Sequence, residues 1–347
     1  MRAAVYYGPE DLRVTEVPEP LVEAGEVLLR VLGAGICGTD VRILHGSHRK
    51  YPSGTVRIPG HEVVAEIEQI GSGVEGYHLG QRCFVAPNVG CGHCRQCISG
   101  NNNRCAAYQA IGITIDGAFA EHLKLPAAFI AQGNLIPVAA EVDPAIGSLM
   151  EPFACVLRGQ EPLAIRPGET VLVMGAGPIG AMHVALARMK GAGRVLVSDP
   201  NPVRAARALT MGADRAISDG NEKLEATVHE ATNGEGPEVV IVAAPSHEAQ
   251  MQAIELAGIG GRINFFGGLP KDRPAIEFNS NTLHYKELLV TATTACSTLD
   301  CWRAAEIINS ARIDFRPFVT ARYPLGRALE AFEEVQSGRT LKVVLEP

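Results

Sequence analysis

The run Val171-Leu-Val-Met-Gly175-Ala-Gly177-Pro-Ile-Gly180 restricts the architecture of this chain more than any other stretch. Four apolar residues suited to a buried strand meet three closely spaced glycines, and helix-forming residues follow from Ala181. Such a segment has to turn sharply out of a strand and enter a helix that packs back on it. The rhythm then repeats. Apolar runs at 195–197, 239–243 and 263–266 alternate with helical stretches at 181–190, 202–211, 223–231 and 248–256. This alternation predicts a parallel sheet with helices packed on it.

The rest of the chain reads differently. Up to about residue 155, short alternating strands at 27–31, 62–70, 82–86 and 119–123 are separated by glycine and proline turns, an all-β pattern. Beyond about 295, helices at 302–308 and 327–336 and a strand at 341–345 do not continue the repeat and are expected to return to the first domain. A length of 347 residues suits two cores rather than one.

Composition removes several partners. Lys and Arg number 31 against 38 Asp and Glu, for a net charge of −7, and no stretch gathers basic residues. Nucleic acid and an anionic membrane surface are therefore not expected partners. Residues 171–187 lack formal charges but fall short of the about 20 residues a membrane span needs, and Gly175, Gly177, Pro178 and Gly180 interrupt them. Residues 1–13 lack the apolar region of a secretory signal, so a cytoplasmic location is expected.

The glycine turn has a chemical use. Gly175 permits the tight turn, Gly177 lets the backbone approach a pyrophosphate, and Gly180 lets helix and strand pack closely. Asp199 stands nineteen residues past Gly180, at the end of the next strand. A carboxylate there accepts the hydroxyls of an adenosine ribose and repels a 2′-phosphate, so NAD is expected over NADP. Arg204, five residues on, is placed to line the adenine or to soften that discrimination.

Nine cysteines in such a chain suggest metal ligands or buried small side chains rather than disulfides. Cys91, Cys94, Cys97 and Cys105 follow the spacing Cys-x2-Cys-x2-Cys-x7-Cys. Four thiolates saturate a tetrahedral zinc, so this site is expected to hold a loop in shape and do no chemistry. The spacing lacks the proline-terminated and plant-type iron–sulfur patterns, and the acidic balance argues against a nucleic-acid zinc knuckle. His93 inside the segment is expected at the surface.

Cys37, His61 and Glu151 stand outside that cage. A thiolate, an imidazole and a carboxylate with a free fourth position are what a catalytic zinc requires. Zinc with Cys37 and one glutamate is neutral overall, whereas binding Glu62 and Glu151 together makes a poorer Lewis acid. One glutamate is thus expected to bind directly while the other reaches the metal through water, or the two exchange. Cys83, Cys155, Cys296 and Cys301 remain, with ordinary burial as the expectation and, for Cys155, four residues after Glu151, approach to the zinc from a helix as the alternative.

Together, Cys37-Gly-Thr-Asp40, Gly60-His-Glu62, the four-cysteine lobe, the Gly175 to Gly180 turn and Glu151-Pro152 resemble the zinc-dependent medium-chain dehydrogenase/reductase superfamily along the whole chain. Glu151, where alcohol dehydrogenases usually place a second metal cysteine, resembles the sorbitol (polyol) dehydrogenase branch. The fold class implied is α/β plus β: a GroES-like β-rich catalytic domain (1–157, with the zinc lobe at about 88–106) interrupted by a Rossmann doubly wound parallel-sheet domain (158–294), with 295–347 returning to the first. The resemblance further implies two zinc ions per chain, a catalytic one surrounded by Cys37, His61, Glu62 and Glu151 and a structural one held by Cys91, Cys94, Cys97 and Cys105. Ile179, Asp199 and Arg204 would contact NAD, and the protein would be a homodimer or homotetramer built through its cofactor domains.

The activity expected is oxidation of a secondary alcohol of a polyol, sugar alcohol or cyclitol to a ketone, with hydride passing to NAD. Thr39, two residues after Cys37, is expected to take the hydroxyl proton, with Glu62 and water as the other exit. Arg42 stands where many alcohol dehydrogenases carry a relay histidine. The alternatives are a threonine-type amino-alcohol dehydrogenase, a sugar-phosphate alcohol dehydrogenase favoured by Arg42, Arg49 and Lys50, and a catalytically inactive nucleotide-binding regulatory protein.

Overall fold

The four apolar runs in the middle of the chain become the strands Thr170–Met174, Arg194–Ser198, Val239–Val242 and Arg262–Phe265 in the computed structural model, which describes residues 1–218 and 220–347, and Arg215–Ile217 and Leu289–Ala292 join them. Their order across the sheet is 215–217, 194–198, 170–174, 239–242, 262–265, 289–292, and every pair is parallel. The chain enters at the centre, winds out to one edge, then crosses back and winds out to the other. The reversal falls beside Thr170–Met174, which is where a doubly wound sheet opens a crevice at the carboxyl ends of its strands. Val171, Leu172, Val195, Leu196, Val239 and Val240 are fully buried, as strands covered on both faces must be, and this is why they read as continuous apolar runs.

The helix after the glycine turn starts at Pro178 rather than Ala181. Proline suits a first helical position because its fixed φ is already helical and the N–H it lacks would have had no partner. Among the elements of this unit that escaped the sequence pattern are the short strand Arg215–Ile217, the helix Ser280–Tyr285 and the edge strand Leu289–Ala292. The strand at 289–292 is half-exposed, so it shows neither a continuous apolar run nor a clean alternation.

Met1–Ala154 and Ala295–Pro347 form one compact unit, and Cys155–Thr294 the other. The first is built on a seven-stranded sheet ordered Val319–Pro324, Lys342–Glu346, Val27–Gly35, Glu62–Ile70, Arg82–Val85, Leu135–Pro137, with His122–Leu125 also pairing with Val27–Gly35. Val344 lies opposite Gly35 and Leu345 opposite Ala34, so the end of the chain completes a sheet begun by residue 27. Bulges at Leu28/Leu29 and Val31/Gly33 bend the central strand. Beneath it Phe119 and Phe332 meet edge to face, 5.9 Å apart.

The all-β reading of the first part needs correcting. Gly38–Leu44, Arg95–Ile98, Ala127–Ala131 and Pro144–Gly147 are helices of four to seven residues, and Met150–Gln160 begins before the unit ends. One or two turns display too little of the 3.6-residue period to be recognised. Among the described residues no helix is long and apolar enough to cross a membrane.

The glycine turn sets up a contrast. A Cβ on Gly180 would lie 1.7 Å from the carbonyl oxygen of Gly175, whereas one on Gly177 would meet nothing within 4 Å. Gly180→Ala is expected to lower stability by about 1–3 kcal/mol, because backbone has to move. Gly177→Ala should stay within about 0.5 kcal/mol of wild type in the absence of cofactor. Urea denaturation of both variants is the check, and equal midpoints would contradict the packing role of Gly180.

Candidate metal centres and cofactor turn

The thiols of Cys91, Cys94, Cys97 and Cys105 all lie within 4.8 Å of one another, and none forms a disulfide. Local backbone explains the gathering. A Cβ on Gly90 would stand 2.3 Å from the Cys97 sulfur, and Gly92 and Gly100 take left-handed φ values of 82° and 75° that favour glycine. The N–H groups of His93 and Cys94 point at the Cys91 sulfur and bring its pKa down to about 6, while burial pushes Cys97 up to about 11. Four convergent sulfurs, one of them readily ionised, fit a tetrahedral thiophilic cation and leave it no open position. His93 is exposed, its Nδ1 2.9 Å from the Cys91 carbonyl.

A second group consists of Cys37, His61 and Glu62, with ligand atoms again within 4.8 Å of one another. Cys37 immediately precedes the helix Gly38–Leu44, and its N–H donates to Asp40 Oδ2 at 2.8 Å. The other Asp40 oxygen faces His61 Nδ1 at 3.5 Å. One buried carboxylate thus steadies both the thiol's backbone and the imidazole. Burial alone would pull the His61 pKa down, but Asp40 and Cys37 override it and lift it well above the ordinary value. His61 Nδ1 and Asp40 Oδ1 have no hydrogen-bond partner although buried. Such orphans are rare, and beside a thiol and a second carboxylate they make the donor set that suits a zinc ion.

Glu62 is fully buried in a space that Gly35 leaves for it: a Cβ on Gly35 would sit 2.3 Å from Glu62 Oε2. Its charge is met by a residue the sequence reading missed. Lys342, 4% exposed, donates to Glu62 Oε1 at 2.6 Å and to the Ile36 carbonyl at 3.1 Å. Burial would lower the lysine's pKa, yet Glu62 foremost, then Cys37 and Glu151, raise it. The one signal available was a lysine interrupting the apolar strand Leu341-Lys342-Val-Val-Leu.

The expected four-residue set is not assembled whole. Glu151 lies outside the Cys37–His61–Glu62 group, and its Oε1 accepts a hydrogen bond from the Cys296 thiol at 3.6 Å. A second carboxylate brought against Glu62 would be repelled, and Lys342 is already engaged. Thr39, half-buried in the same short helix, accepts from Arg42 Nη2 at 3.0 Å. His48, brought down to about 4 by burial and then by Arg42, His61 and Arg49, is neutral at neutral pH.

In the other unit Gly175 has φ of 102° and leads into Gly177, Ile179 and Gly180 at the start of Pro178–Met189. Asp199 follows the neighbouring strand and accepts the Ala176 and Asn201 N–H groups, each at 2.8 Å. Arg204 stands in the first turn of Pro202–Thr210, where Asn201 caps the helix. All six residues named for the cofactor lie at the carboxyl ends of two adjacent parallel strands or just after them.

A doubly wound nucleotide-type domain that interrupts, in sequence, a β-rich unit carrying the four-cysteine cage and the Cys37–His61–Glu62 group defines a dehydrogenase architecture. Residues 23–137 match the model of the alcohol dehydrogenase GroES-like domain and residues 178–310 that of the zinc-binding dehydrogenase domain. L-threonine 3-dehydrogenase from Bacillus subtilis (strain 168) is 33% identical over 342 residues, covering 96% of this chain and 94% of that protein. The Pyrococcus furiosus L-threonine 3-dehydrogenase is 32% identical over 351 residues, covering 99% and 97%. A zinc-binding dehydrogenase from Sinorhizobium meliloti 1021, solved bound to NADP, superposes with a TM-score of 0.91 at 30% identity, covering 100% of this chain and 99% of that one. The chain belongs to the zinc-dependent medium-chain dehydrogenase/reductase superfamily. It is an oxidoreductase acting on CH–OH groups, with zinc and a nicotinamide dinucleotide as cofactors.

Removing one member of a buried ion pair strands the other. Lys342→Met is expected to destabilise the protein by about 3–5 kcal/mol, and the double variant Lys342→Met/Glu62→Gln to recover much of that. Denaturant unfolding of the three proteins tests the pairing, and a single variant as stable as wild type would refute it.

Proposed function

We propose that this protein oxidises the secondary hydroxyl of a small amino alcohol of the L-threonine type to a ketone, with NAD as hydride acceptor. The observation that carries the chemistry is the convergence of half-buried Cys37 with buried His61 and Glu62. Full-length similarity to L-threonine 3-dehydrogenases at 32–33% identity supports the amino alcohol ahead of a polyol, sugar alcohol or cyclitol. Cys37, His61 and a glutamate would hold a zinc ion, whose Lewis acidity would lower the pKa of an alcohol hydroxyl. The overall reaction takes alcohol and NAD to ketone, NADH and a proton.

The chain's own residues do the rest. Asp40 orients His61 and the Cys37 backbone. Lys342 offsets the Glu62 charge, so that a site containing a thiolate and a second carboxylate stays electrophilic. Thr39 accepts from Arg42, which orients its hydroxyl to receive the substrate proton. Gly175, Gly177, Ile179 and Gly180 make room for the pyrophosphate, and Asp199 holds the adenosine ribose and favours NAD over NADP. Cys91, Cys94, Cys97 and Cys105 bind a second zinc that shapes their loop. Exposed Tyr285 and Leu289, on and beside the edge strand of the parallel sheet, support a homodimer or homotetramer.

A panel of L-threonine, sorbitol, xylitol and inositols with NAD and with NADP tests this reading, the expectation being the fastest NADH formation with L-threonine. Metal analysis should find two zinc per chain and one after Cys37→Ala, which should also be inactive. Asp199→Ala should raise KM for NAD by about tenfold, equivalent to about 1.4 kcal/mol, without raising that for NADP. Full activity of Cys37→Ala would end the proposal.

A further inference from the structure

The segment that enters the helix Thr298–Asn309 is held with unusual thoroughness. The Ser297 hydroxyl accepts from the Asp300 N–H at 3.2 Å, and Asp300 Oδ2 accepts from the Ser297 N–H and hydroxyl at 2.9 and 2.8 Å. Cys296 just before this cap and Cys301 just after it occupy the two positions where apolar side chains commonly staple an entering chain. Both are fully buried, with sulfurs 3.5 Å apart.

Two asparagines fix the same segment from the other side. Asn88 Nδ2 donates to the Cys296 carbonyl at 3.0 Å. Asn102, which lies between Cys97 and Cys105, accepts from the Thr298 N–H at 2.9 Å and donates to the Asn88 carbonyl at 2.6 Å. The Cys296 sulfur is left with little freedom, and it meets Glu151 Oε1 at 3.6 Å.

A staple needs two apolar side chains. It does not need a thiol aimed at a buried carboxylate. We propose that Cys296 is a positioning residue for Glu151, and that the four-cysteine lobe sets the place of Glu151 through Asn102, Asn88 and Cys296. The inference rests on the reading of Glu151 as a ligand of the open zinc centre. A thiol is a weak donor. It orients one carboxylate oxygen without bringing a full charge and yields when a cation competes, which a lysine or arginine in its place would resist.

The test uses the full zinc-loaded chain and follows zinc release to a chromophoric chelator; the phase missing from Cys37→Ala belongs to the open centre. Cys296→Ala should accelerate that phase by about tenfold, the low end for losing a group that orients a metal ligand. Cys296→Ser, which keeps a donor, should stay near wild type. Cys301→Ala removes the other sulfur of the staple but no donor to Glu151, and should leave the phase unchanged. Asn102→Ala should accelerate it while the lobe keeps its zinc. In the Co(II)-substituted protein, Cys296→Ala should shift the ligand-field bands of the open centre and Cys301→Ala should not. Should Cys296→Ala fail to fold, Cys296→Val replaces it. Equal effects of the two alanine variants reduce the pair to packing and overturn the proposal, as does an unaltered release in Cys296→Ala when Glu151→Gln accelerates it. Unaltered release in Glu151→Gln removes the ligand reading itself, and the role of Cys296 with it.

Discussion

The ion pair between Lys342 and Glu62 is the contact that ties the first unit's sheet to the Cys37–His61–Glu62 group. Taking an ammonium and a carboxylate out of water costs several kcal/mol per ion before their attraction is counted, so the pair persists only where the geometry is close and the remaining donors are used. Here it is close. Lys342 reaches Glu62 and the Ile36 carbonyl together, and the missing side chain of Gly35 makes the space. Lys342 arrives on the last strand, which pairs with the strand leading to Cys37, so sheet register and charge balance at the metal centre are one constraint. A slip of one residue would turn Lys342 to the opposite face and leave Glu62 unmatched.

The four-cysteine cage and the Cys37–His61–Glu62 group answer to different physics. The four cysteines lie within fifteen residues, and glycines at 90, 92 and 100 let a short loop close on itself with little help from the rest of the fold. The open group draws Cys37, Asp40, His61, Glu62 and Lys342 from three stretches of chain and accumulates charges of both signs. Such a site is stable only when the whole sheet has formed. Its members are placed by long-range strand pairing rather than by a short loop closing on itself.

This difference sets what the sequence could disclose. The cysteine cage, the glycine turn and Asp199 are local patterns whose spacing carries their chemistry, and the parallel order of the Rossmann strands follows from continuous apolar runs. Lys342 was invisible because it is separated from Glu62 by 280 positions and only strand pairing joins them. The partner of Glu151 was hidden in the same way, since Cys296 reads as one more small buried residue until its sulfur is seen 3.6 Å from the carboxylate. Short helices such as Gly38–Leu44 were lost to the brevity of their period, and the edge strand Leu289–Ala292 to its mixed burial.

The hydrogen bond between Arg42 and Thr39 narrows how a proton can leave the site. A histidine following the metal cysteine can accept a proton and pass it on, because imidazole gains and loses one near neutrality. A guanidinium cannot, since it stays protonated throughout the accessible range and offers donors only. With Arg42 donating to Thr39 at 3.0 Å, the threonine oxygen has one lone pair engaged and its own hydrogen directed elsewhere. Arg42 therefore orients the Thr39 hydroxyl and sets a fixed positive charge beside it. In the proposed reaction such a charge would favour loss of the substrate proton without carrying it away, and onward transfer would have to run from Thr39 to an acceptor other than Arg42.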